Sequence, residues 1–286
     1  MTSNPAGLKR KHSGRIIGIY IFALFIVLYS ALPILWLLLT SFTPQSDLYM
    51  NETILQTGNW TLENYQEILL KSEYVKYFGN SFIITLCATL IVMVCAVLSG
   101  YSFSHAFNYK GKNSFMVFII LARMIPEIAI IIPMYFFIQS VGLFDTKTGI
   151  TIMISAMAYP LAAWLMKSFF DDIPASLYEA AKLDGCNSMQ ILRKIVLPIS
   201  GPSLSSTLII TFLTVWNSFL IPLTFAKTPN AKTFPVAISE LAFGEYGVSW
   251  GNLSALSILA IIPMFLIGIF AQKYIVAGLT GGAEKG

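Results

Sequence analysis

Arg123 and Glu127 stand four residues apart, with Pro126 between them, inside an otherwise apolar stretch covering residues 115–139. On a helix that spacing puts both charges on one face, the first about 12 Å into the stretch. At mid-membrane each charge costs roughly 2.5–3.5 kcal/mol, so both are predicted to face a bundle interior. Two readings stay open: a structural i, i+4 ion pair bracing a proline-kinked helix, or a functional role as a gate contact or a solute hydroxyl ligand. Tyr159, Trp164, Trp216, Asn217 and Asn252 are further candidates for lining a route. Aromatic faces and amides suit a polyhydroxy solute, although interfacial belts and helix–helix contacts use the same residue types. Other chemistry is poorly supplied. His12 and His105 are the only histidines, and Cys87, Cys95 and Cys186 form no metal or disulfide framework. The tail Gly281-Gly282-Ala283-Glu284-Lys285 lacks the spacing and hydroxyl of a phosphate loop. No catalytic residue, cofactor or metal is predicted in this chain.

The elements that hold these residues are set by hydropathy. The chain has 286 residues, 56% hydrophobic and 11% charged, with the charges crowded into short intervals. About 20 apolar residues cross a bilayer as a helix. Six intervals reach that length: 16–39, 82–103, 115–139, 150–170, 204–225 and 253–275. The reading is an all-α polytopic membrane protein with six transmembrane helices. Its parts are an N-terminal segment 1–15, a membrane domain 16–276 and a tail 277–286. The first apolar run is too long for a signal peptide. With the N-terminus inside, eleven Lys and Arg residues fall on the inner side and five on the outer, which makes both termini cytoplasmic. The net charge of +4 follows from this asymmetry, and no basic face points to nucleic acid.

Two outer segments, 41–77 and 226–250, are long enough for structure. In the first, Thr61 is predicted to cap a short surface helix with Leu62, Tyr65, Ile68 and Leu69 on one face. The second, with Thr233-Phe234-Pro235 and Gly244-Glu245-Tyr246-Gly247, either packs on its own spans, dips toward a pore or meets an outside partner. The inner loop 171–202 is more organised. Ile173, Leu177 and Ala181 recur at helical spacing after Pro174, while Glu179 and Asp184 face elsewhere. Gly185 suits the left-handed end of that helix, and Asn187 or Ser188 suits the cap of a second. Leu197-Pro198 is predicted to break the second helix, and Pro202 to open the fifth span. On spacing alone, this loop is either a docking element or an amphipathic connector.

Glu179-Ala180-Ala181, Asp184-Gly185 and Ile195-x-Leu197-Pro198 resemble the EAA loop of ATP-binding-cassette importer permeases. Trp216 to Leu223, Gly244 to Gly247 with Trp250-Gly251, and the tail from Gln272 resemble the carbohydrate-uptake branch, in particular the six-span second permease of maltose-type systems. Cys186 replaces the usual Ala, and Ile191 the usual Phe. The resemblance implies a type I importer-like fold in a bacterial or archaeal plasma membrane. Its implied partners are a second, paralogous permease, an ATPase homodimer holding ATP and Mg, and an extracytoplasmic solute-binding protein delivering a sugar, an oligosaccharide or a related solute. Glu179, Ala180, Ala181, Asp184, Gly185, Ile195, Leu197 and Pro198 would then form the ATPase-coupling helix.

Rival classes need other features. A self-sufficient carrier or channel needs a selectivity filter, a voltage-sensing Arg repeat or proton-relay acids, and a membrane enzyme needs clustered His or acidic residues.

Overall fold

Long apolar helices with short polar joints are the arrangement that leaves no backbone polar group unpaired in lipid. The computed structural model describes residues 5–49, 59–104, 107, 109–243 and 247–280, and no strand occurs among them. The helices are α1 (Pro5–Ser41), α2 (Gln45–Tyr49), α3 (Glu63–Leu70), α4 (Ser72–Phe103), α5 (Lys112–Leu121, extended by a 3-10 turn Ala122–Met124), α6 (Glu127–Ser140), α7 (Lys147–Asp171), α8 (Ala175–Leu183), α9 (Ser188–Ile191, continued by a π turn Leu192–Val196), α10 (Leu197–Ile199), α11 (Gly201–Trp216), α12 (Leu220–Phe225), α13 (Phe234–Ala242) and α14 (Trp250–Thr280). The predicted boundaries at residues 15 and 276 lie inside α1 and α14. Glu245, Tyr246 and the end of the tail lie outside the described residues.

Among the described residues, five helical stretches are long and apolar enough to cross a membrane, Gly201–Phe225 counted as one, with a sixth when the bent pair Lys112–Met124 and Glu127–Ser140 is counted as one span. That pair corrects the continuous span expected over 115–139, because it bends by 97° at the break. Pro126 is the cause. It lacks an N–H, and it drives Ile125 out of the helical region to φ −73, ψ 122. The span expected over 204–225 is also interrupted, between Trp216 and Leu220.

Two compact units are formed. The first holds residues 1–70 and 241–259. Asn64 is its centre: the buried amide donates to the carbonyls of Ser41 (3.0 Å) and Thr43 (2.9 Å). A Cβ on Gly251 would lie 2.5 Å from Asn64 Oδ1, so any side chain there would displace the Asn64 amide from its two carbonyl partners. Thr61 accepts from Glu63 N–H (3.1 Å) in a turn just before α3, whose cap position is Leu62 and not Thr61 as expected. The buried face of α3 carries Asn64 and Ile68, while Leu62 and Leu69 are exposed, because carbonyls at the end of α1 demanded a donor more than its surface demanded leucines.

The second unit holds residues 71–240 and 260–286. α4 and α7 pack along their lengths and run in the same direction. Lys147 Nζ bonds Asn80 Oδ1 near the start of both, and Tyr101 meets Phe170 near the end of both. Small residues allow the approach: Ala88, Ala96, Ala162 and Ala163 are almost fully buried. A Cβ at Gly100 would stand 2.7 Å from Met166 Cβ. α11 lies against both helices. Within this unit the second outer segment packs on its own spans. Asn80 donates to the carbonyls of Pro229 and Lys232, and Phe234 N–H donates to Ser81.

Candidate functional site

The loop after α7 builds a rigid projection from three local devices. Gly185, at φ +78, ends α8 in a Schellman turn: Cys186 N–H donates to Ala181 C=O (3.0 Å), and Gly185 N–H donates to Lys182 C=O (3.1 Å). Asn187, not Ser188, caps α9. Its side chain accepts from Gln190 N–H (2.9 Å), and Gln190 Oε1 accepts from Asn187 N–H (2.8 Å), a reciprocal capping box. The π turn follows, with Leu197 N–H reaching back to Leu192 C=O. Its wider winding carries the chain through Pro198 without a break, so the expected break at Leu197-Pro198 moves to Ser200.

The seating of α8 differs from the expected pattern. Tyr178 and Ala181 are buried, with Ile173 just before the helix, whereas Leu177 is exposed. Adjacent residues 177 and 178 compete for one helical phase, and the tyrosine wins by supplying both bulk and a bond. Its hydroxyl donates to Phe170 C=O at the end of α7 (3.1 Å). Tyr101, on the last turn of α4, stacks on Tyr178 and donates to Ser188 C=O (3.1 Å). Burial, then the neighbouring Tyr101, pushes the Tyr178 phenol up to about 12, so it stays a donor across the physiological range. These two tyrosines were missed because nothing in their spacing marks them. What faces outward is Glu179, Ala180, Leu183, Asp184 and Gly185, with Leu183 88% exposed. Ile195 and Leu197 are half-buried against the core, and Pro198 is exposed.

The breaks in the helices meet at a second feature. A cavity of about 590 Å³ is lined by Ala122 to Glu127, by the middle of α7 and by Asn217 to Leu220. It therefore collects the ends of four half-helices around the mid-length of a spanning one. Non-helical backbone is tolerated at such depth where it lines a cavity. Arg123, Glu127 and Asn217 all line it, together with Thr214 and Ser218, which the sequence did not single out. Arg123 and Glu127 are not an i, i+4 ion pair. The 97° bend puts them on different helices, both exposed, and no ion pair joins them. Asn217 Nδ2 bonds its own helix at Leu213 C=O (2.8 Å).

The remaining candidates do not line this cavity. Trp216 is 3% exposed, donates to Ala260 C=O (3.2 Å) and stacks on Phe212, which makes it a packing residue. Tyr159 is half-buried against the core, and Trp164 is exposed. Asn252 is buried in the first unit, donating to Glu67 (2.8 Å).

One loop fixes the ends of α6, α7 and α12, helices that wall the cavity. Asp145, the only non-glycine with positive φ among the described residues, accepts from the N–H groups of Lys227 (2.8 Å) and Thr228 (3.0 Å) and donates to Phe225 C=O. Burial alone would raise its pKa, but those bonds and the Lys227 charge hold the carboxyl below the usual carboxylate range. Phe144 packs between Tyr135 of α6 and Phe225 of α12.

Residues 95–281 match the family described as binding-protein-dependent transport system inner membrane component. The chain is 32% identical over 267 residues to the trehalose/maltose transport system permease protein MalG of Thermococcus litoralis, covering 92% of this chain and 95% of that protein. It is 32% identical to the trehalose transport system permease protein SugB of Mycobacterium tuberculosis, covering 91% and 94%. In fold it is similar to a chain of a bacterial ABC transporter that imports the acidic polysaccharide alginate, with a TM-score of 0.78 at 23% identity, covering 92% of this chain and 97% of that one.

Proposed function

Because the chain belongs to the family of binding-protein-dependent transport system inner membrane components, the permease subunits of ATP-driven importers, we propose that it forms half of a pathway for a sugar, oligosaccharide or related polyhydroxy solute. Its partners are a second, paralogous permease, two copies of a separate ATPase carrying ATP and Mg, and an extracytoplasmic binding protein. Both termini and the α8–α10 loop face the cytoplasm of a bacterial or archaeal cell.

The observation that carries this reading is the seating of α8. Its outward residues, Glu179, Ala180 and Asp184, sit on a helix whose inward Tyr178 donates to Phe170 C=O at the end of α7 and stacks on Tyr101 at the end of α4, while Tyr101 donates to Ser188 C=O at the start of α9. Small Ala180 permits close backbone approach by an ATPase, and Glu179 offers a carboxylate to a basic residue there. An ATPase that grips this surface differently in its open and closed states would move α4 and α7 as rigid bodies, and only such differential affinity can drive the change. Solute then meets Arg123, Glu127 and Asn217 at the broken helices, where charged and amide groups can bond hydroxyls.

Co-purification of this chain with its partners, followed by ATPase assays with a panel of liganded binding proteins, tests the reading. Stimulation by a sugar-loaded binding protein is the expected result. A chain that purifies alone and moves solute without ATP would overturn it in favour of a self-sufficient carrier.

A further inference from the structure

Beside the coupling loop, the second unit has another cavity, of about 610 Å³, whose composition is opposite to that of the first. Nine of its eleven lining residues are apolar, including Val97 and Leu98 of α4, Leu197 of α10 and Leu204 of α11. The other two are Ser205 and Arg193. The Ser205 hydroxyl is already donated to Gly201 C=O (2.9 Å). One uncommitted polar head remains, the exposed guanidinium of Arg193, which has no ion-pair partner among the described residues.

Direction along the helices gives the groove its depth. α4 runs toward the coupling loop and α11 runs away from it, so Leu98 and Leu204 lie nearest the loop, and Met93 and Leu208 lie deepest. At 1.5 Å per residue the walls enter the membrane by only about 6–8 Å. A spanning helix from another subunit needs a face of roughly 30 Å, so the groove is far too short to seat one. The headgroup-proximal part of a single acyl chain fits an apolar slot of this depth, the rest of the chain continuing into the bilayer, and its phosphate then sits at the level of the cation. Guanidinium forks match phosphate oxygens, and basic pockets between spans on the cytoplasmic side suit anionic headgroups.

We propose that this groove binds one acyl chain of an anionic phospholipid, with the headgroup phosphate held by Arg193. Leu192 and Leu197, joined across the π turn by a backbone hydrogen bond, form part of its wall. A bound lipid therefore braces the turn that joins the coupling loop to α11. The proposal rests on the function proposed above only for which leaflet is involved.

The test is native mass spectrometry of the complete importer after equilibration with mixed phosphatidylglycerol and phosphatidylcholine. Wild type retains phosphatidylglycerol in preference, and Arg193→Gln lowers that preference about fivefold. Lys194→Gln, outside the groove, leaves it nearly unchanged. Leu204→Trp fills the slot and lowers retention of both lipids. Equal retention of the two lipids by wild type, or an unchanged preference in Arg193→Gln, would overturn the site. So would a cross-link from Leu208→Cys to a neighbouring subunit, which would give the groove to a protein. Binding-protein-dependent uptake is measured on the same preparations: lipid preference without uptake would count against the importer reading alone, and uptake without lipid preference against this site alone.

Discussion

Tyr178 joins α8, the proposed docking helix, to the ends of α4 and α7, and the size of that contribution can be read directly. Tyr178→Phe keeps the ring against Tyr101 and removes the hydroxyl's bonds to Phe170 C=O and to the Ser104 side chain, a loss of about 1 kcal/mol for each. The expected outcome is assembly with the ATPase but less solute moved per ATP hydrolysed, measured in proteoliposomes. Asp145 gives a pH-dependent counterpart. Its folded pKa is depressed, so it contributes stability above the unfolded carboxylate range, near pH 3.9, and that contribution is lost as pH falls through the folded value. Asp145→Asn should therefore melt below wild type at neutral pH, and the gap should close in acid; a gap that persists at low pH would contradict the carboxylate's role. Trp216 illustrates what residue type alone conceals. An indole suits a sugar face as well as a helix interface, and only the Ala260 carbonyl beneath its N–H decides for packing. Trp216→Phe should lower thermal stability and leave solute preference unchanged, as measured by competition uptake.

At the scale of elements, turn chemistry was the most legible part. Gly185 and Asn187 are punctuation residues whose backbone needs are local, and both act where their types demand. Gly185→Val would impose about 1–2 kcal/mol of left-handed strain on the loop without touching a span. Membrane insertion should stay normal, by protease accessibility, while ATPase binding falls. Pro126 was equally visible, but its consequence was underestimated. A proline in an apolar run is read as a kink, whereas the pair of helices here turns through 97°. The size of a bend depends on what packs on each arm, such as Tyr135 against Phe144 and Phe225, and those contacts are remote in sequence. The inner face of α8 and the face of α3 were misjudged for a related reason. Periodicity counts apolar residues, but Tyr178 and Asn64 are buried because distant carbonyls need donors.

For the whole molecule, a parallel pair, α4 and α7, carries the α8–α10 loop at one end, and α7 passes the cavity of broken helices at mid-length. Under the proposed function, force applied to α8 passes through Tyr178 and continuous α7 to the wall of the cavity that Arg123, Glu127 and Asn217 also line. Composition made the membrane class and the long helices legible, because lipid permits few alternatives. The cavity was not legible, because it depends on bringing residues 123–127 and 217–220 together across nearly a hundred positions. Reconstituted uptake of the solute against simultaneous ATP hydrolysis, in wild type and Gly185→Val, tests the central claim most directly. The account predicts binding-protein-stimulated hydrolysis with uptake in wild type, and loss of uptake in Gly185→Val despite intact insertion and solute delivery. Undiminished uptake in Gly185→Val, or uptake by this chain without any ATPase, would contradict it.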